Sequence, residues 1–140
     1  MKKYFKLSLF ALMAVVLFFT SCTEDDFDPF ADPVDKFLGN WQCQEEGDVS
    51  GSGWNYPVRI TRNPENSAEI LIDNFNLQGN GEKARALITG NTMTIPRQKI
   101  CDDTIEIQGS GTYSNNEISF NYTTNDGATQ ERFSGRYYKP

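Results

Sequence analysis

With no histidine among its 140 residues, the chain has thiols, carboxylates and aromatic rings as its candidate chemical groups. That excludes histidine triads, His-ligated zinc and haem with an axial histidine. Of the three cysteines, Cys22, Cys43 and Cys101, none has an imidazole to activate it as a nucleophile. Two acidic groups, Glu45-Glu46 with Asp48 and Asp102-Asp103, carry the residue types of paired-carboxylate hydrolysis. Both lie in polar, loop-like sequence, which favours solvated acids over carboxyls with shifted pKa. Asp102, Asp103 and Glu106 do not have the spacing of an oxygen-ligand calcium loop. The expectation is a protein that is not an enzyme and holds no metal or cofactor. Trp54 and Tyr56 are the candidate ligand- or partner-binding residues, set in Gly51-Ser52-Gly53-Trp54-Asn55-Tyr56-Pro57, which reads as a flexible loop. Exposed rings there would stack on a sugar or anchor a protein partner. The alternative is a loop folded back as a plug. Thirteen bases against 19 acids, net charge -6, argue against nucleic acid.

The first residues carry an address. Lys2, Lys3 and Lys6 precede Leu7 to Phe19, 13 residues in which only Ser8 is polar. At about 1.5 Å each they reach roughly 20 Å, short of a bilayer core of about 30 Å, so they read as a secretion signal. The run ends in Phe18-Phe19-Thr20-Ser21-Cys22, which resembles the lipobox of bacterial lipoproteins, with phenylalanine at the position where leucine is commoner. The resemblance implies cleavage before Cys22, lipid on its thiol and attachment to the membrane through that lipid. An ordinary cleaved signal is the alternative. Residues 24–35 then hold six acids and no base, and Pro29 and Pro33 discourage helix, so 22–35 reads as an extended acidic tether. Residues 36–140 keep 10 bases and 13 acids, net -3, and are nearly balanced. Acids directly after the cysteine resemble the export signal of Bacteroidetes-type lipoproteins, which implies the outer membrane and its exterior face, with outer-membrane attachment facing the periplasm as the alternative. With Cys22 lipidated, Cys43 and Cys101 remain in an oxidising compartment and are expected to form a disulfide, two separate thiols being the alternative.

The elements that would position these groups alternate with period two. Val58-Arg59-Ile60-Thr61, Glu69 to Asp73, Ala84/Ala86/Ile88, Met93/Ile95, Ile105/Ile107/Gly109/Gly111/Tyr113, Ile118/Phe120/Tyr122 and Phe133/Gly135/Tyr137 each place alternate residues on one face. A first strand around Trp41 makes about eight. Gly90-Asn91, Ser114-Asn115-Asn116 and Asn125-Asp126-Gly127 punctuate hairpins, and every link suits antiparallel neighbours. The fold class is all-β: an up-and-down meander over 36–140 closing into a small barrel, with a two-sheet sandwich as the alternative.

Phe37-Leu38-Gly39-Asn40-Trp41, with Arg132 and Arg136 in the last strand, resembles the lipocalin or calycin pattern. There a Gly-x-Trp opens the first strand and a late arginine packs across the indole at the closed end. Ile70 to Phe75, Thr92 to Pro96, Gly109 to Tyr113 and Ile118 to Tyr122 look like small lipocalin-like lipoproteins of Bacteroidetes. The resemblance implies a non-catalytic, monomeric binding domain for a small apolar ligand. Glycan or protein recognition by the Trp54 loop, as an accessory or inhibitor in an envelope assembly, is the second use. A barrel with so few residues per strand is small enough to be filled by its own side chains. Asp103-Thr104-Ile105 resembles the O-glycosylation motif of Bacteroidetes envelope proteins, which makes Thr104 the candidate acceptor.

Overall fold

Alternation of buried and exposed residues runs through all eight strands of the computed structural model, which describes residues 28–140. The signal segment and Cys22 lie outside the described residues. In chain order the strands are β1 (Gly39–Gly47), β2 (Gly51–Asn63), β3 (Asn66–Asp73), β4 (Lys83–Thr89), β5 (Thr92–Ile100), β6 (Ile105–Ser114), β7 (Glu117–Asn125) and β8 (Gln130–Tyr138). Each pairs antiparallel with the next, and β1 pairs with β8 from Gln42↔Tyr138 to Gly47↔Phe133. The sheet is a closed up-and-down barrel, and the sandwich is excluded.

Turn chemistry fixes the register. Asn115 and Asn116 both take positive φ, 52° and 59°, in the two-residue turn joining β6 to β7, a conformation that asparagine tolerates well. The β4–β5 ladder has only three residue pairs, and the register of β5 shifts between Ile95 and Gln98, around Pro96. The Gln98 side chain extends the ladder: its amide donates to Arg85 O (2.7 Å) and accepts from Arg85 N (2.9 Å).

Inward positions fill the barrel with rings and branched chains, among them Trp41, Phe120, Tyr122, Tyr137, Ile95 and Ile107. Three inward glycines make room for them. Gly109 stands opposite Tyr122, Gly111 opposite Phe120, and Gly135 opposite Phe120 from the other side. A Cβ on Gly109 would overlap Asn121 O and the Cβ of Tyr122, and one on Gly135 would come within 2.7 Å of the Glu45 Cβ.

One end of the barrel is closed by the incoming chain. The packed unit starts at Ala31 and not at residue 36, since Val34 and Phe37 are buried in the core. Asp32 and Asp35, read from the sequence as tether acids, both pair with Arg62 (3.0 and 2.7 Å). Trp41 Nε1 donates to Phe37 O (2.8 Å). The cation over the indole is Lys139, with its Nζ 3.9 Å from the ring centroid and donating to Leu38 O (3.0 Å). Neither Arg132 nor Arg136 takes that place. Both occupy outward positions of β8; Arg136 bonds Gln44 and Glu117 on the outer wall.

The expected Cys43–Cys101 disulfide is also corrected: both thiols are free. Cys43 points inward from β1, whose neighbours are β2 and β8, while Cys101 sits in the turn between β5 and β6. No shared ladder brings them together.

Two outcomes check this packing. Gly109→Ala should lower stability by about 1–3 kcal/mol through overpacking, whereas Gly53→Ala, with only ordinary contact at 3.8 Å, should change it by less than about 0.5 kcal/mol; equal midpoints in denaturant melts would contradict it. Peptide-mapped alkylation should label Cys101 in the native protein and Cys43 only after unfolding. A peptide linked through Cys43 and Cys101 would overturn the assignment.

Candidate functional site

The end of the barrel opposite the Phe37 plug is framed by the β1–β2 turn, the long β3–β4 connection 74–82 and the turns after β5 and β7. Here the wall turns polar. Glu45 occupies an inward position on β1, in step with Trp41 and Cys43, and is only 4% exposed. Its Oε1 accepts from the Tyr56 hydroxyl (2.6 Å) and its Oε2 from the Tyr122 hydroxyl (2.9 Å). The Tyr122 oxygen in turn accepts from Asn76 Nδ2 (2.7 Å), which ties the 74–82 connection to the barrel wall. Tyr137 and Cys43 complete the cluster, Cys43 being the cross-strand neighbour of both Tyr56 and Tyr137.

Burial dominates the electrostatics of this cluster. It pushes the Glu45 carboxyl above the ordinary carboxylate range, against the opposing bonds from Tyr56 and Tyr122. Burial also raises the Cys43 thiol, and the Glu45 charge raises it further. An inert, protonated Cys43 follows. Glu131, at the rim, behaves oppositely. Its Oε1 accepts from the Ser50 hydroxyl (2.6 Å), Ser50 N (2.6 Å) and Val49 N (3.2 Å), and these bonds, the hydroxyl first, hold its carboxyl below the usual range.

Above the cluster lies a cleft of about 250 Å³. Glu45 and Glu131 supply its acids, Asn76 and Gln78 its amides, Ser50 a hydroxyl, and Trp54, Leu77 and Phe133 its apolar wall. Among the described residues no lysine or arginine lines it. The 74–82 connection approaches it under backbone strain: Asn74, Asn76 and Leu77 all adopt positive φ, 63°, 52° and 55°. For leucine that conformation is costly and is held only where the surroundings enforce it. Phe75 is the anchor, buried and 4.6 Å from the Tyr122 ring centroid.

The two aromatic candidates separate. Gly51–Pro57 is not a loop but the start of β2, so Trp54 and Tyr56 both face the barrel interior. Tyr56 is buried and serves Glu45. Trp54, one pair nearer the mouth and opposite Glu45 in register, is 42% exposed on the cleft wall. Glu45 was missed as a site residue because its charge suggested a solvated loop; the alternation Trp41, Cys43, Glu45 was the available signal. Thr104 is exposed, its hydroxyl donating to Cys101 O (2.6 Å) in the β5–β6 turn. Asp102 and Asp103 are exposed in the same turn, and neither lines the cleft above the cluster.

No known family model matches the sequence, and no curated protein does. Among solved structures the chain is similar to one described as a redesigned β-barrel, with 17% identity, a TM-score of 0.55, and coverage of 79% of this chain and 97% of that one. The likeness is one of fold.

The displaced carboxyl makes stability pH-dependent. The folded protein holds the Glu45 proton more tightly than the unfolded chain, whose glutamates titrate near about 4.3. Stability from this group is therefore fully present below that value and is lost as pH rises through the higher folded value. Glu45→Gln removes the dependence. Its stability relative to the native protein should improve steadily from acidic to neutral pH, by about 1.4 kcal/mol for each unit of upward displacement. A stability difference independent of pH would contradict the assignment.

Proposed function

We propose that the protein is a lipocalin-like lipoprotein, anchored through Cys22 to the outer membrane and facing the exterior, that binds a small molecule at the barrel mouth without turning it over. The anchor rests on the basic start, the short apolar run and the small residues before Cys22. The observation that carries the binding reading is the half-exposed Trp54 on the wall of a cleft whose floor is the phenol-bound Glu45. An aromatic face beside a few convergent polar groups is the usual composition of a ligand site. The mouth is favoured over an internal cup because large side chains occupy the interior.

A second reading has its own support. Val49, Trp54 and Leu77, all exposed, belong to the two connections and the strand that frame the mouth. An envelope protein docking there would cover them. Native mass spectrometry of the full-length protein purified from its host separates the two. Under the first reading a small molecule is retained by the native protein and its occupancy falls at least about tenfold in Trp54→Ala, while the ligand-free forms of the two proteins melt at the same temperature. Unchanged occupancy in that variant would contradict the mouth as the binding site.

A further inference from the structure

Glu45 presents a problem of charge. A glutamate is almost never this buried unless it is paired, and a buried carboxylate without a counter-charge costs several kcal/mol. Among the described residues no lysine or arginine reaches it: the ion pairs are those of Arg62, Arg85, Arg97 and Arg136 with other acids. Its polar neighbours are two phenols, a thiol and the Asn76 amide, none of them a cation. Each oxygen already accepts a phenol proton, so the group lacks charge compensation and not a hydrogen bond.

The cleft above it shows what kind of molecule would supply that charge. Its second acid, Glu131, lies at the rim, and among the described residues the other charged lining residue is Glu45 itself. Such a lining repels carboxylates and phosphates. A neutral sugar could use the amides and the indole, but it would leave the Glu45 charge as it stands. Trp54 adds an aromatic face, which attracts cations electrostatically as well as covering apolar surface. Size sets the upper bound: since about 150 Å³ accommodates benzene, a volume of about 250 Å³ takes roughly ten non-hydrogen atoms.

Building on the mouth as binding site, we infer that its ligand class is a small organic cation: an ammonium on an apolar body, its charge directed to Glu45 and Glu131 and its body laid against Trp54. The strained Leu77 and the Asn76–Tyr122 bond hold the far wall in place for such a molecule. The cation would complete the Glu45 cluster, so ligand and carboxylate stabilise each other.

Calorimetry on the full-length protein in detergent tests the class with three probes of closely similar size: 2-phenylethylamine, 2-phenylethanol and phenylacetate, all at neutral pH. The ammonium should bind at least about tenfold more tightly than the alcohol, the carboxylate should bind weakest, and added salt should narrow the gap. Glu45→Gln should bring the ammonium close to the alcohol. Glu131→Gln, at a rim position that leaves the core intact, should reduce the preference by a smaller factor and keeps the test available if the first variant folds poorly. Equal binding of ammonium and alcohol, or no binding of the ammonium, overturns the cation. If Trp54→Ala still strips the resident molecule in that case, the mouth stands as a site and only the ligand class falls. If it does not, both fall.

Discussion

An eight-stranded barrel encloses a space that side chains just fill, and closure of β1 onto β8 imposes that limit on this chain. Once the sheet is closed, every inward residue competes for the same interior. The sequence resolves the competition by setting bare glycine against large rings: Gly109 beneath Tyr122, and Gly111 and Gly135 on either side of Phe120. The rings then pack on one another, Tyr122 stacked with Phe133 at 5.0 Å and Phe120 tilted against Tyr137 at 4.4 Å. Interior volume spent in this way is not available to a ligand. The binding reading therefore moves to the mouth, where the inward row of β1 changes from Trp41 and Cys43 to Glu45.

The same closure explains why a carboxyl survives in the wall. Tyr56 on β2 and Tyr122 on β7 are brought to either side of Glu45 only because β1 joins both ends of the meander. Their apolar bodies belong to the core and their hydroxyls to the site, a division that tyrosine suits better than any other residue. The cluster also fixes the 74–82 connection through Asn76, with Phe75 as its apolar anchor. Core, cluster and rim thus form one continuous structure. The strain at Leu77 is held at the point where the connection turns from anchor to cleft wall.

Much of this was legible in the period of the sequence. Ile118, Phe120 and Tyr122 announce β7, and the asparagine turn before them announces the hairpin. Where residue type and period disagreed, type misled. Glu45 continues the alternation of Trp41 and Cys43 but reads as solvated because it is charged. Tyr56 belongs to the alternation Trp54, Tyr56, Val58, Ile60, which the glycines at 51 and 53 disguise as a loop. The cation over Trp41 follows from parity: the inward row of β8 contains Phe133, Gly135 and Tyr137 and leads to Lys139, while Arg132 and Arg136 fall on the other face. The cysteines show a different limit. Their number suggested a bond, but which strands neighbour one another in a closed barrel decides it, and β1 does not neighbour the β5–β6 turn.

The central claim is that Glu45 is a buried carboxyl held by two phenols at the floor of the mouth. A carbon-13 NMR titration that follows the Glu45 carboxyl resonance, assigned by its loss in Glu45→Gln, tests it directly. The account predicts a midpoint clearly above the ordinary carboxylate value of about 4.3, with the Tyr56 and Tyr122 ring signals moving in the same transition. A midpoint at the ordinary value, with those ring signals unmoved, would show a solvated acid and contradict it.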